Sequence, residues 1–260
     1  MGLVSNGGST PFCGGTLIGP NHILTASHCI NSNPTSNSFD VMVGEHSTTN
    51  SEDGTRHEIC RAVRHPSYNS ETQLNNDFAI VHLRVPVVLG DRAVPACLPS
   101  ESLSGEFLAG KSLTVSGWGT LSSGGGQPTE LHSVTVPGIS NIACEASYGS
   151  SRITNNMLCA GDVTNGGIDS CQGDSGGKYR NMFRNDFRIR PSKHEFTLFI
   201  TRAKISTCPS GPLTFNDQGR STVVGVVSWG IGCATPGYPG VYGRVTEALD
   251  WINEELGKTC

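Results

Sequence analysis

The sequence predicts an all-β protein of many short strands, a barrel or a sandwich, with one helix at its C-terminal end. Three observations carry that prediction. Apolar runs of strand length recur along the chain, each bounded by Gly, Pro, Asn or Ser. Glycine (33) and proline (14) are abundant and charged residues make up only 15%, a composition of turns rather than of long solvent-facing helices. Apolar residues approach helical spacing convincingly in one place, at Ala248, Leu249, Ile252 and Leu256. With 260 residues, the chain can hold one large domain or two small ones around an ordinary core.

The strand candidates, in order, are residues 15–18, 22–26, 39–43, 59–63, 78–83, 113–116, 132–136 and 223–228. Each is short and rich in Val, Ile or Leu, and turn residues stop it before it could run on as a helix. The polar, small-residue-rich stretch 99–110 reads as a linker between a first half, 1–98, and a second, 111–260. In the terminal helix, Thr246 is placed to cap the first turn and Glu247 to complement its dipole, with the helix running through Leu256.

Ten cysteines at scattered spacings match no zinc pattern and contain no C-x-x-C, so disulfides in an oxidising compartment are expected. A secreted, extracellular location follows, although residues 1–8 do not read as a secretion signal. No run approaches the roughly 20 apolar residues of a membrane helix. Neither a membrane nor a nucleic acid is expected as a partner, and a monomer is expected. Charge is uneven along the chain. Residues 178–210 hold Lys178, Arg180, Arg184, Arg188, Arg190, Lys193, Arg202 and Lys204 against Asp186 and Glu195, a local +6 within a chain of net charge -4.

The chemistry lies in three segments. Cys171-Gln172-Gly173-Asp174-Ser175-Gly176-Gly177 sets a serine between glycines that permit a tight turn exposing its oxygen. A serine hydroxyl is a poor nucleophile at neutral pH and needs a base, a group that orients the base, and donors for the developing oxyanion. The backbone N–H groups of Gly173 and Ser175 can supply the donors. His28 follows an apolar strand and adjoins Cys29, and Asp77 stands at the mouth of the apolar run Phe78-Ala79-Ile80-Val81. The other seven histidines have no such context.

These segments, in the order His, Asp, Ser, resemble the trypsin-like branch of the chymotrypsin-fold serine proteases. Further matches are Phe12-Cys13-Gly14-Gly15, Pro95-Ala96-Cys97-Leu98-Pro99, Ser116-Gly117-Trp118-Gly119, Ser228-Trp229-Gly230 and Pro239-Gly240-Val241-Tyr242. The resemblance implies two packed antiparallel six-stranded β-barrels with a C-terminal α-helix, His28 and Asp77 coming from the first barrel and Ser175 from the second. It implies a serine endopeptidase whose partners are peptide or protein substrates and protein protease inhibitors. Asp169 resembles the carboxylate at the base of a pocket for Arg or Lys, with Gly230 and Gly240 in its wall. Ser228, Trp229 and Gly230 would pair with substrate backbone as with an added strand. Disulfides Cys13–Cys29, Cys144–Cys159 and Cys171–Cys233 are implied; Cys60 with Cys260 is a guess among the remainder. No cofactor is expected. Glu45 and Glu52 hint at a calcium loop, but a third carboxylate falls on Thr55 unless the register shifts to Asp53, and a solvated acidic loop is the preferred reading.

The chain departs from the family in two ways. The family's activation N-terminus, Ile-Val-Gly-Gly, does not precede Cys13, so the chain reads as truncated at its start. The serine loop is also interrupted. The family continues with Pro and a strand, and that text resumes at Gly211-Pro212-Leu213 after the basic stretch 178–210. Gly177-Lys178-Tyr179 can be encoded with the splice-donor string GTAAGT and Ser210-Gly211 with the acceptor CAG. Excision between them restores Gly-Asp-Ser-Gly-Gly-Pro-Leu in frame, and residues 178–210 therefore read as a translated intron. Two other readings remain: a basic loop that binds polyanions or acidic partners, and a catalytically impaired homologue acting as a binding protein.

Overall fold

The computed structural model describes residues 1–30, 38–50, 54–103, 105–120, 125–164, 205–207, 211–232 and 235–260. The first sheet is made of β1 (Gly2–Ser5), β2 (Pro11–Gly14), β3 (Thr16–Gly19), β4 (His22–Thr25), β5 (Phe39–Val43), β6 (Thr55–Arg64) and β7 (Ala79–Leu83), in the order β2-β1-β5-β6-β7-β4-β3, every pair antiparallel. Seven strands replace the expected six because one run is bent in two. Only Gly15 separates β2 from β3, so the two ends of the sheet are joined by a single residue. A side chain on Gly15 would meet Ile23 Cγ2 at 2.6 Å and Leu3 Cδ1 at 3.2 Å, so the bend requires glycine. Leu3, Leu17, Ile23, Val41, Ile59, Val81 and Leu83 fill the interior.

The second sheet contains β8 (Ser112–Gly117), β9 (His132–Ile139), β10 (Met157–Ala160), β11 (Ile205–Thr207), β12 (Pro212–Asp217), β13 (Arg220–Ile231) and β14 (Gly240–Arg244). Six of them close a ring, β13-β12-β8-β9-β10-β14 and back to β13. The seventh, β11, pairs only with β13 among the described strands. Alternation along β8, with Leu113 and Val115 inward and Ser112 outward, is the period-2 pattern of a half-buried strand. Two short helices were not evident in the sequence: α1 (Gly105–Leu108), within the expected linker, and α2 (Asn141–Tyr148). The Ser140 hydroxyl caps α2 by accepting from the Ala143 N–H. Arg244 holds α2 to the ring, donating to Asn141 Oδ1 at 2.8 Å and to the Met157 carbonyl.

At the C-terminal end, α3 (Leu249–Leu256) follows a 3-10 turn over Val245–Ala248. Thr246 lies inside that turn and caps nothing, a correction to the sequence expectation; the helix starts three residues later, at Leu249, with Ala248 in the cap position. Disulfide Cys60–Cys260 ties the end of the chain to β6.

A third cluster seals the two sheets together, with Leu24, Phe78 and Ile80 from the first meeting Val223, Val226, Val245 and Ile252 from the second half. Phe78 lies so close to Gly243 that a side chain there would meet its ring at 2.7 Å. Both sit in a packed interior that cannot give way cheaply. Gly243→Ala should therefore lower unfolding free energy by about 1–3 kcal/mol, measured as a shift of the urea midpoint at constant slope; an unchanged midpoint would refute the close fit.

Candidate active site

His28 sits in a 3-10 turn, Ser27–Cys29, directly after β4. The turn is fixed from both sides: Ser27 Oγ donates to the Phe78 carbonyl at 2.5 Å, and Cys29 is joined to Cys13. Asp77 closes the loop between β6 and β7. Leu74 and Asn76 in that loop take left-handed backbone conformations (φ 62° and 52°), which asparagine tolerates better than most residues. The loop is anchored to the second half by Thr154 Oγ1, which donates to Asn75 Oδ1 at 2.7 Å, and by Asn156 Nδ2, which donates to Asn76 Oδ1 at 2.9 Å.

The Asp77 carboxylate has no exposed surface and is held by three donors. The His28 backbone N–H reaches Oδ1 at 2.9 Å, and His28 Nδ1 and Ser228 Oγ reach Oδ2 at 2.7 and 2.5 Å. A carboxylate only accepts, so Nδ1 carries the proton and Nε2 keeps its lone pair. The imidazole is thereby oriented with Nδ1 on the acid and Nε2 turned away from it. Sequence reasoning found His28 and Asp77 but gave Ser228 only a backbone role; its side chain also holds the acid from across the interface. No local signal could have shown this, since Ser228 and Asp77 are separated by 151 residues.

Ser228, Trp229 and Gly230 lie consecutively on β13. The Trp229 ring packs edge-on against Tyr148, with centroids 4.8 Å apart, and Tyr148 Oη donates to the Pro239 carbonyl at 2.5 Å, next to Gly240. Among the described residues, a side chain on Gly230 would find Tyr148 Oη at 4.0 Å and nothing nearer, so their packing does not require glycine there.

Disulfides join Cys13 to Cys29 and Cys144 to Cys159. Asp169, Cys171, Gly173, Ser175, Cys233 and Glu52 lie outside the described residues. Glu45 is buried, with only 7% of its surface exposed, and Gly54 packs against it, so the solvated-loop reading does not hold for that carboxylate.

Two of the histidines without a sequence context are far from ordinary. His82 is fully buried; it touches His22 edge-on at 4.8 Å and bonds Glu255 Oε2 at 3.2 Å. Burial, then the Arg61 and His22 charges, push its pKa down to about 4 against the pull of Glu255. His65, beside Trp251 at 4.9 Å, is lowered by burial as well.

Comparison with known proteins agrees with this geometry. The trypsin family model matches residues 1–184 and 200–252, breaking off inside the basic stretch. The chain is 36% identical to "Trypsin" of Phaedon cochleariae over 246 residues, covering 94% of this chain and 78% of that one. It is 37% identical to "Anionic trypsin" of Bos taurus over 247 residues (94% and 80%) and 33% identical to "Trypsin-1" of Astacus astacus over 249 residues (95% and 88%). With the family model and the relatives spanning nearly its whole length, on a fold of two barrel-like sheets that meet at a buried aspartate–histidine pair, the chain belongs to the trypsin family of serine proteases.

Proposed function

We propose that this protease cleaves peptide bonds after Arg or Lys through an acyl-enzyme formed on Ser175, with His28 carrying the proton and Asp77 anchoring the imidazole. The observation that carries the reading is the dyad, an Asp77 carboxylate held by three donors, one of them His28 Nδ1, which turns Nε2 away from the acid as the nitrogen that can take a proton. Ser175 Oγ attacks the scissile carbonyl carbon as its proton passes to His28 Nε2, and the oxyanion is met by the Gly173 and Ser175 N–H groups. The imidazolium then gives the proton to the departing amine, and water, activated by the same nitrogen, hydrolyses the ester. These roles follow the general template for such triads. Asp169 at the pocket base would pair with the substrate's cation. The space over Gly230 supports this, because no atom of the described residues comes nearer than 4.0 Å to where a side chain would begin. Protein substrates and protein inhibitors are the proposed partners, and the extracellular space the proposed location.

The test compares Arg, Lys, Phe and Ala esters, using a form without residues 178–211 and with a processed Ile-Val-Gly-Gly N-terminus, beside the same form carrying Ser175→Ala. Hydrolysis confined to Arg and Lys esters and lost in the variant is expected. Equal rates on Phe esters would overturn the specificity, and activity surviving Ser175→Ala would overturn the nucleophile. A second reading, an impaired homologue that binds proteins, is favoured by one observation, the extra strand β11 on β13.

A further inference from the structure

Strand β13 is paired differently along its two sides. On one side β14 covers residues from Gly225 to Trp229. On the other, β12 covers residues from Arg220 only as far as Val226, where Pro212 begins β12, and Gly211 accepts from the Val227 N–H at 3.0 Å. Proline has no N–H to give, and it belongs where a ladder stops. Beyond Val227 that side of β13 would be an open edge. It begins at Ser228, the residue whose hydroxyl holds Asp77. An extended peptide added there would pass directly beside the dyad.

The edge is filled by the chain itself. Ile205, Ser206 and Thr207 pair antiparallel with Ile231, Gly230 and Trp229. Trp229 is paired with Val241 of β14 as well as with Thr207, so β11 lies on the side opposite β14, the side β12 leaves free. These three residues belong to the basic stretch that interrupts the serine loop, and four residues, 208–211, separate them from β12. A strand tethered so closely need not be captured from solution: short links give effective concentrations in the millimolar range, comparable with or above ordinary KM values of about 1 μM to 1 mM.

We infer that Ile205–Thr207 is a built-in competitor of substrate, a strand added in cis to the Trp229–Ile231 edge that blocks it against extended peptides. The inference rests on reading residues 228–230 as the edge that takes substrate. It concerns the chain that retains residues 178–210; excision of that stretch removes the competitor together with the interruption.

The test uses the full chain joined to an Ile-Val-Gly-Gly N-terminus, the same protein with Ser206→Pro and Thr207→Pro together, and the form lacking residues 178–211. The two prolines delete two of the three N–H groups of β11 and leave β13 untouched. Two substrates separate the steps: a small fluorophosphonate that labels Ser175 without needing a strand edge, and a four-residue peptide amide ending in Arg that needs it. Labelling is expected in all three. KM for the peptide should fall about tenfold or more in both altered forms, with amide exchange at residues 229–231 faster in the proline variant than in the full chain. Equal labelling with an unchanged KM in both forms would overturn the inference and leave the site reading intact. Failure of all three to label would overturn the site reading, and the inference with it.

Discussion

Asp77→Asn, made in the form lacking residues 178–211, should lower kcat on an Arg ester by about 10⁴-fold, the loss expected when the orienting acid of such a triad becomes an amide. The carboxylate accepts three hydrogen bonds, from the His28 N–H, from His28 Nδ1 and from Ser228 Oγ. Asparagine has one oxygen to accept with, and its NH₂ must face one of these donors. If the NH₂ turns toward Nδ1, the ring keeps its proton on Nε2 and presents no base to Ser175. Because the residue is similar in volume and the site is braced from both halves, the fold should survive, and the urea midpoint measured beside the rate separates the two effects. A variant with kcat within tenfold of the parent would show that Asp77 does not set the tautomer.

Acidification should cost the folded state about 3 kcal/mol between pH 6.5 and 4 through His82 alone. The unfolded chain binds a proton on this imidazole below its ordinary value of 6.5, whereas the folded chain resists until about 4. Since the unfolded state holds more protons across that window, stability is full above pH 6.5 and falls as the pH drops. Every group facing the ring contributes: burial and the Arg61 and His22 charges oppose protonation, and Glu255 favours it. Glu255 acts in the same direction at the acid end. Burial pushes its carboxyl up, but Lys258, Arg61 and His82 together hold it below its ordinary value, so its contribution is lost as pH falls through the carboxylate range. Urea midpoints at intervals from pH 7 to 4.5 would show the decline, and His82→Gln should flatten it. A parent whose midpoint does not move across that range would show that the ring is not buried neutral.

The sequence carried the fold where local patterns determine it. The apolar runs at 22–26, 39–43, 78–83 and 113–116 each contain a strand, because burial of short Val/Ile/Leu segments between turn residues has few other solutions. It failed where short elements depend on neighbours. Helix α2, of eight residues, has a serine cap but no strong apolar period, and Arg244 from a distant strand holds it in place. Thr246 looked like a cap until the preceding turn tightened to 3-10. The dyad was legible because His28 and Asp77 each carry a distinctive flank; His82 with Glu255 was not, since nothing local marks two residues 173 positions apart as partners.

The bend at Gly15 bears on how the first sheet can come apart. An ordinary sheet peels from an edge strand, giving up one ladder at a time while the rest stays intact. Here the two outermost strands are consecutive pieces of one run, each held by its own neighbour, β1 on one flank and β4 on the other. Freeing either piece drags on the other through a single residue, and two ladders must open where one would suffice. Fraying is thereby converted toward an all-or-none event, which keeps the strand leading to His28 from loosening by itself.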